Sequence, residues 1–326
     1  ATRKDGKPVV IKKGRQVGAT VMAGALDLFF TNSGLFSSPN IRVVHLFPAL
    51  GQVKKFSQDK LEGMIRTANN DLVNKNKLKG ANAVDNLTMK QFNTGTLWID
   101  SLGADGDRIR GMTADIAFFD EVQDMMPQGI GNATKILTAS KYGPVGKGVQ
   151  VYFGTPKEKS SYFSTLWDMS DQRYYHLGCK NCKGTFPFYL PDDDRWTKIW
   201  VSGHTIKCPL CGTEQTKVES INLGKWVPSK KDAKFVGFHI NQLYIPYFSK
   251  ENILDLMPEN NPAQTDRIWN NEVIGEFYSG YGMPITKADI YNLCRDADRR
   301  FSRKIDGNKK ATYLGIDWGG KNDSKD

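Results

Sequence analysis

Four of the five cysteines fall into two C-x-x-C pairs, Cys179-Lys180-Asn181-Cys182 and Cys208-Pro209-Leu210-Cys211. Two such pairs separated by a loop have the ligand spacing of a four-thiolate zinc ribbon, each pair on a tight turn aimed at one metal. Four thiolates leave no open coordination position, so Zn²⁺ held by Cys179, Cys182, Cys208 and Cys211 is structural rather than catalytic. Two disulfides would instead suit a small secreted chain, and this chain is large and shows no secretory signal at its start. His204 is expected on the surface, and Cys294 stands apart. A hairpin through 186–190 and 200–206 is expected to fill the gap between the two pairs.

A second group, Lys13-Gly14-Arg15-Gln16-Val17-Gly18-Ala19-Thr20, lies between a short apolar run (VVIK) and an apolar, helix-like stretch, Val21–Phe30. Backbone N–H groups and a helix N-terminus in that position cradle phosphates, and the Thr20 hydroxyl is suited to Mg²⁺. Compared with G-x-x-x-x-G-K-[ST], Lys13 stands in place of the first glycine and Ala19 in place of the lysine. A third group closes an apolar run, Ala114–Phe119, with Asp120-Glu121. An acidic pair at the tip of a parallel strand faces the ligand crevice of an α/β sheet. There Asp120 would hold Mg²⁺ through water and Glu121 would orient and activate the attacking water. Taken together, the two groups point to ATP hydrolysis. Thr155, in Gly154-Thr155-Pro156 after the run Val149–Phe153, is suited to sensing the terminal phosphate. Arg108 or Arg110, just before the acidic strand, could stabilise transition-state charge in its own site or a neighbour's; for either alone, a DNA-phosphate contact or a plain surface charge is the competing role.

The elements that must position these groups read as strands alternating with helices. Ile41–Phe47 (IRVVHLF) is a strong strand, Gln52–Ile65 has helical period, 90–102 reads as a hairpin turning at Asn93-Thr94-Gly95, and near-continuous apolar runs mark buried parallel strands. The pattern argues for an α/β domain with a largely parallel sheet. The chain has 326 residues, which suggests about two domains. With 39% hydrophobic and 25% charged residues it is of ordinary globular composition, excluding disorder and coiled coil. A net charge of +10 suits a polyanionic partner. No apolar run approaches the ~18 residues of a membrane span; the longest, Val21–Phe30, is interrupted by Gly24 and Asp27. The chain starts at Ala1 without an initiator Met, and its native start is expected upstream.

In this order the motifs resemble the large terminase subunit of tailed bacteriophages, in its zinc-ribbon branch. Lys13–Thr20 resembles that family's deviant phosphate loop, with its Arg-Gln-x-Gly core. Arg110-Gly111 followed by ADIAFFDE resembles the approach to its acidic strand, and Gly154-Thr155-Pro156 its coupling motif. GFHINQLYIPY (Gly237–Tyr247) and NNEVIGEFY (Asn270–Tyr278) resemble the segment that joins ATPase to nuclease. The resemblance implies a P-loop NTPase of the ASCE type with an inserted ribbon, and ATP-driven threading of double-stranded DNA through a portal protein into a procapsid. It implies ATP and Mg²⁺ as cofactors, a small terminase subunit as partner, a homo-oligomeric ring, no membrane, and the host cytoplasm during virion assembly. Either Lys13 or Arg15 would then be the phosphate contact. Leu314-Gly315-Ile316-Asp317 resembles the first strand of an RNase H-like nuclease, with Asp317 as one ligand of a divalent-metal site that the visible chain cannot complete. An adenine-contacting segment is expected before residue 1.

The implied organisation is an ATPase core over 1–171, the ribbon over 172–225, a connecting subdomain over 226–294, a linker over 295–310 and the nuclease start over 311–326. Two rivals remain in view. A helicase or remodeller would need a second P-loop lobe with its own arginine motif. A non-enzymatic zinc-ribbon DNA-binding protein would show no ATPase activity.

Overall fold

Strands β1 (Val9–Lys13), β2 (Ile41–Phe47), β4 (Gly95–Ser101), β5 (Ile116–Phe119) and β6 (Val149–Gly154) lie parallel in the order β1-β6-β5-β2-β4. β3 (Met89–Gln91) closes that edge antiparallel to β4, as the hairpin expected over 90–102 requires. The computed structural model describes residues 6–32, 40–67, 84–92, 94–142 and 147–279. All of them belong to one compact unit, Ala1–Ser279.

The parallel strands are almost uniformly apolar because both faces of the sheet are covered. Alternation along each strand divides the core in two. Val10, Val44, Leu46, Ala117 and Phe119 enter one apolar cluster. Ile11, Val43, Phe47, Ile116 and Phe118 enter the other, together with Ala19, Ala23 and Leu28 of helix α1 (Ala19–Asn32). After β2, the helix α2 (Leu50–Lys54), a π-helical stretch (Lys55–Leu61) and α3 (Glu62–Thr67) run on without a break. They cover the helical pattern read over 52–65. β6 separates β1 from the acidic strand β5, so the strand followed by Thr155 is next to the one followed by Asp120.

The other half of the sheet departs from the expected segmentation. β13 (Val236–Ile240) pairs parallel with β1 on the side away from β6, in register Val10↔Gly237. β7 (Arg173–Gly178) lies beside β13, β12 (Lys225–Pro228) pairs antiparallel with β7, and β8 (Thr185–Pro187) also pairs with β7. Boundaries at 171 and 225 therefore cut through the sheet: segments assigned to a ribbon and a connecting subdomain contribute strands beside the phosphate-loop strand. The expected hairpin between 186–190 and 200–206 does not form. β8 turns back on β7 instead, while β9 (Trp200–Ser202), β10 (Thr205–Lys207) and β11 (Glu214–Thr216) make a separate small sheet. Its tight turn at Gly203-His204 explains why Trp200 pairs with Ile206 rather than with the Phe186 segment; His204 is exposed there, as expected. No helix among the described residues is long and apolar enough to cross a membrane. Cys294, the linker 295–310 and the nuclease strand with Asp317 lie outside the described residues.

Candidate active site and metal centre

The tips of β1 and β5 meet at a cavity of about 370 Å³, lined by Lys13, the loop Arg15–Thr20, Val21, Lys60 and Glu121. Lys13 ends β1 with its side chain almost wholly buried, and its Nζ lies 3.2 Å from Glu121 Oε1 and 3.1 Å from Thr155 Oγ1. Three motifs far apart in sequence thus meet at one ammonium group. Arg15 sits differently: it is exposed, and its guanidinium lies 3.3 Å from Glu272. The loop is left-handed at Gln16 and Gly18 (φ 56° and 77°). It leads straight into α1, whose first turn carries no acidic residue to compete with an anion.

The segment after β13 clasps this loop from outside. Gly14 N–H donates to Ile240 O (2.8 Å), Arg15 N–H to Glu272 O (2.6 Å), and Gln242 Nε2 to Arg15 O (2.9 Å). A Cβ at Gly14 would stand 2.8 Å from the carbonyl oxygens of Glu272 and Val273, so only glycine admits this approach. One residue further in, Lys12 is fully buried, paired with Glu276 and 4.4 Å from the centre of the Trp167 ring. Neither Lys12 nor these clasp contacts could be anticipated from motif spacing, since the partners are more than two hundred residues apart.

Asp120 is buried at the tip of β5. Its Oδ1 accepts the Glu121 N–H (3.0 Å), while Oδ2 has no hydrogen-bond partner. Burial opposes its ionisation, but His45, Lys13 and the Thr20 hydroxyl outweigh that and hold the carboxyl below its ordinary range. His45, on β2, stands 2.6 Å from Asp27 and 3.7 Å from Asp120. Burial alone would favour the neutral ring, yet the two carboxylates raise its pKa to about 9. An ionised carboxylate with an unpartnered, buried oxygen beside a threonine hydroxyl fits the oxygen-ligand chemistry of Mg²⁺. Glu121 is left-handed (φ 58°), a conformation costing roughly 1–3 kcal/mol in a non-glycine residue and kept where a side chain must be aimed. Gln123, which no motif announced, donates through Nε2 to Glu121 Oε2 (2.6 Å) and accepts the Thr155 N–H at Oε1 (3.1 Å), bracing the acidic strand against β6.

The two predicted arginines do not join the cavity. Arg108 donates to Ser101 Oγ (3.0 Å), and Arg110 pairs with Asp107 (2.6 Å). Both are substantially exposed, in the crossover from β4 to β5.

The cysteines come together as the spacing predicts. Cys179 and Cys182 lie in the β7–β8 turn, and Cys208 and Cys211 in the β10–β11 turn, with all four sulfurs within 4.8 Å of one another and none in a disulfide. The Cys179–Cys211 and Cys182–Cys208 sulfur separations are 3.7 and 3.9 Å. Tetrahedral Zn²⁺ with Zn–S of about 2.3 Å requires sulfurs about 3.8 Å apart, so the four-thiolate set fits it. Burial pushes the Cys208 thiol up to about 12, whereas hydrogen bonds from Thr213 draw Cys211 down to about 6.

The family model for the phage terminase large subunit gpA, ATPase domain, matches residues 1–226. No curated protein matches the chain. Among solved structures, the large terminase ATPase domain of Thermus phage P74-26 is 16% identical, over 85% of this chain and 90% of that one, with a TM-score of 0.46. The large terminase of bacteriophage HK97 is 14% identical over 50% and 32%, with a TM-score of 0.40. That of another thermophilic bacteriophage, in complex with ATP-gamma-S, is 15% identical over 48% and 36%, with a TM-score of 0.35.

Proposed function

Because the chain belongs to the phage terminase large-subunit gpA family, matched in its ATPase domain, we infer that the cavity at the tips of β1 and β5 hydrolyses ATP to drive DNA packaging. The observation that carries the site assignment is the meeting of Lys13, Glu121 and Thr155 within 3.2 Å over the phosphate loop. Lys13 rather than Arg15 is the phosphate contact in this reading, since Arg15 is exposed and paired with Glu272.

Without nucleotide, Lys13 neutralises Glu121. A triphosphate in the cavity offers Lys13 a stronger anion, and the released carboxylate is then free to accept a hydrogen bond from the attacking water. The N–H groups from Arg15 to Thr20 cradle the phosphates. Thr155 senses the terminal phosphate from β6, and Gln123 relays its position to Glu121. Asp120 and Thr20 would hold Mg²⁺, which when bound shields phosphate charge and polarises the terminal phosphoryl group. Zn²⁺ on the four cysteines is structural.

In this reading the ATPase core is 1–171 joined by β7, β12 and β13. The knuckles and the small sheet form the ribbon, the clasp residues lead toward a linker at 295–310, and 311–326 begins an RNase H-like nuclease with Asp317 as a divalent-metal ligand. The partners are double-stranded DNA, gripped through its phosphates without sequence preference, a portal protein and a small terminase subunit. The working form is a homo-oligomeric ring on the procapsid in the host cytoplasm during virion assembly. Purified chain should hydrolyse ATP, faster with duplex DNA, and Lys13→Ala should lose that activity through nucleotide binding while Arg15→Ala keeps most of it. Equal loss in both variants would return the phosphate contact to an open choice between them, and an inactive wild type would favour the non-enzymatic alternative.

A further inference from the structure

We propose that Lys60 is a ligand of the terminal phosphate of the bound nucleotide, supplied in cis by the helix after β2. It provides charge that a standard phosphate loop carries beside its threonine. The proposal rests on the reading of the cavity as the ATP site.

The loop itself is short of cationic charge. Position 19, where the standard loop has its lysine, is a buried alanine. Lys13 is shared between Glu121 and Thr155, and Arg15 is paired with Glu272. Apart from the loop, the start of α1 and Glu121, Lys60 is the one residue lining the cavity among the described residues. It is exposed there and has no hydrogen bond or ion pair among the described residues, so its ammonium is available to an anion.

The backbone aims it. In a regular α-helix, residue 60 would stand one turn above Phe56 and face the core with it. Lys55–Leu61 is π-helical, so the wider turn brings Leu61 rather than Lys60 over Phe56. Phe56 and Leu61 are buried, and Lys60 is turned out. Gly24 of α1 sets the distance: a Cβ there would meet Met64 Sδ and Cε at 3.2 Å and Phe56 Cε2 at 3.4 Å. The helix bearing Lys60 therefore rests against the helix that follows the phosphate loop. Lys60 lines the same cavity as Glu121, the group that must meet the attacking water. In that cavity its contact is to the terminal phosphate, which a diphosphate lacks.

The test is calorimetric titration of the whole chain with ATP-γ-S and with ADP, both with Mg²⁺, using wild type, Lys60→Met and Lys60→Arg. One charge-assisted hydrogen bond predicts a loss of about 10- to 100-fold for ATP-γ-S in Lys60→Met, with ADP changed less than about twofold. Lys60→Arg should retain triphosphate affinity. Ala19→Lys placed in the Lys60→Met background should regain some of it. Unchanged affinities in Lys60→Met, or equal losses for both nucleotides, would overturn the role of Lys60 while leaving the cavity's assignment intact. A wild-type chain that binds neither nucleotide would remove the assignment itself. Circular dichroism of Lys60→Met, an exposed position, should match wild type, so that a binding loss reports on the contact.

Discussion

Lys13 and Glu121 sit 3.2 Å apart, with Thr155 Oγ1 3.1 Å from the same ammonium, so the two opposite charges are paired at this site. Glu121→Gln removes the negative charge but keeps the shape and the Gln123 contact. It should therefore bind ATP at least as well as wild type while hydrolysis falls by about 10²–10⁴-fold, because the lost group acts on the water in the transition state. Single-turnover hydrolysis measured beside nucleotide binding separates the two effects, and near-native turnover would reject the assignment. At this scale the sequence was informative wherever a residue closes a strand: Lys13, Asp120, Glu121 and Thr155 all follow apolar runs, and strand tips in a parallel sheet share one end. Gln123, His45, Glu272 and Lys60 were not legible. Each acts through a tertiary approach that spacing does not encode, as in the 32 residues between Gln123 and Thr155.

Among the elements, β7 joins the metal centre to the ATPase sheet, since it pairs with β13 and runs directly into Cys179. Metal analysis should find about one zinc per chain. Stripping it should cost amide protection in hydrogen exchange over 173–187 and 205–216, while β2 and β5 keep theirs. Unchanged protection in both ribbon segments would mean that the fold does not depend on the metal. A second lever lies in the same region. Lys217 is buried, 4.1 Å from the Trp200 ring centre, and its Nζ donates to Phe248 O (2.8 Å). Burial lowers its pKa to about 7. In the unfolded chain the amine titrates near 10.4, so between these values the unfolded state binds the extra proton and stability rises with pH. That gain is complete above about 10 and is lost as pH falls through about 7. Melting temperatures of wild type and Lys217→Met should converge or cross as pH climbs from 7 to 10, and parallel curves would refute the shift. The parallel core β1-β6-β5-β2-β4 was legible because doubly covered strands are unbroken apolar runs. β7 (RYYHLG) and β12 (KWVP) were not, for they mix polar and aromatic residues at a partly covered edge, and β13 was obscured by its likeness to a linking segment.

At the scale of the whole molecule, Arg15 is the one arginine lining the cavity among the described residues, and it is paired with Glu272. Arg110 is 67% exposed, in the crossover between β4 and β5, and among the described residues its ion pair is the local contact to Asp107. Gly111, left-handed with φ 81°, turns the chain directly after it. An exposed guanidinium that does not line its own cavity is free to reach a neighbouring subunit's nucleotide, and in a ring each subunit would complete the next one's site. Such a finger contributes roughly 10³–10⁵ in rate, so dilute monomer should be nearly inactive and assembly should stimulate it. Arg110→Ala and Glu121→Gln chains should each be inactive alone. Mixed, they form some interfaces that pair an intact arginine with an intact glutamate, and activity should partly return in proportion to such interfaces. Arg108 is tied more closely to its own strand through Ser101, so Arg108→Ala in the same mixture should show little or no complementation effect. Full activity of dilute monomer, or no recovery on mixing, would reject the trans role and leave Arg110 to a DNA phosphate.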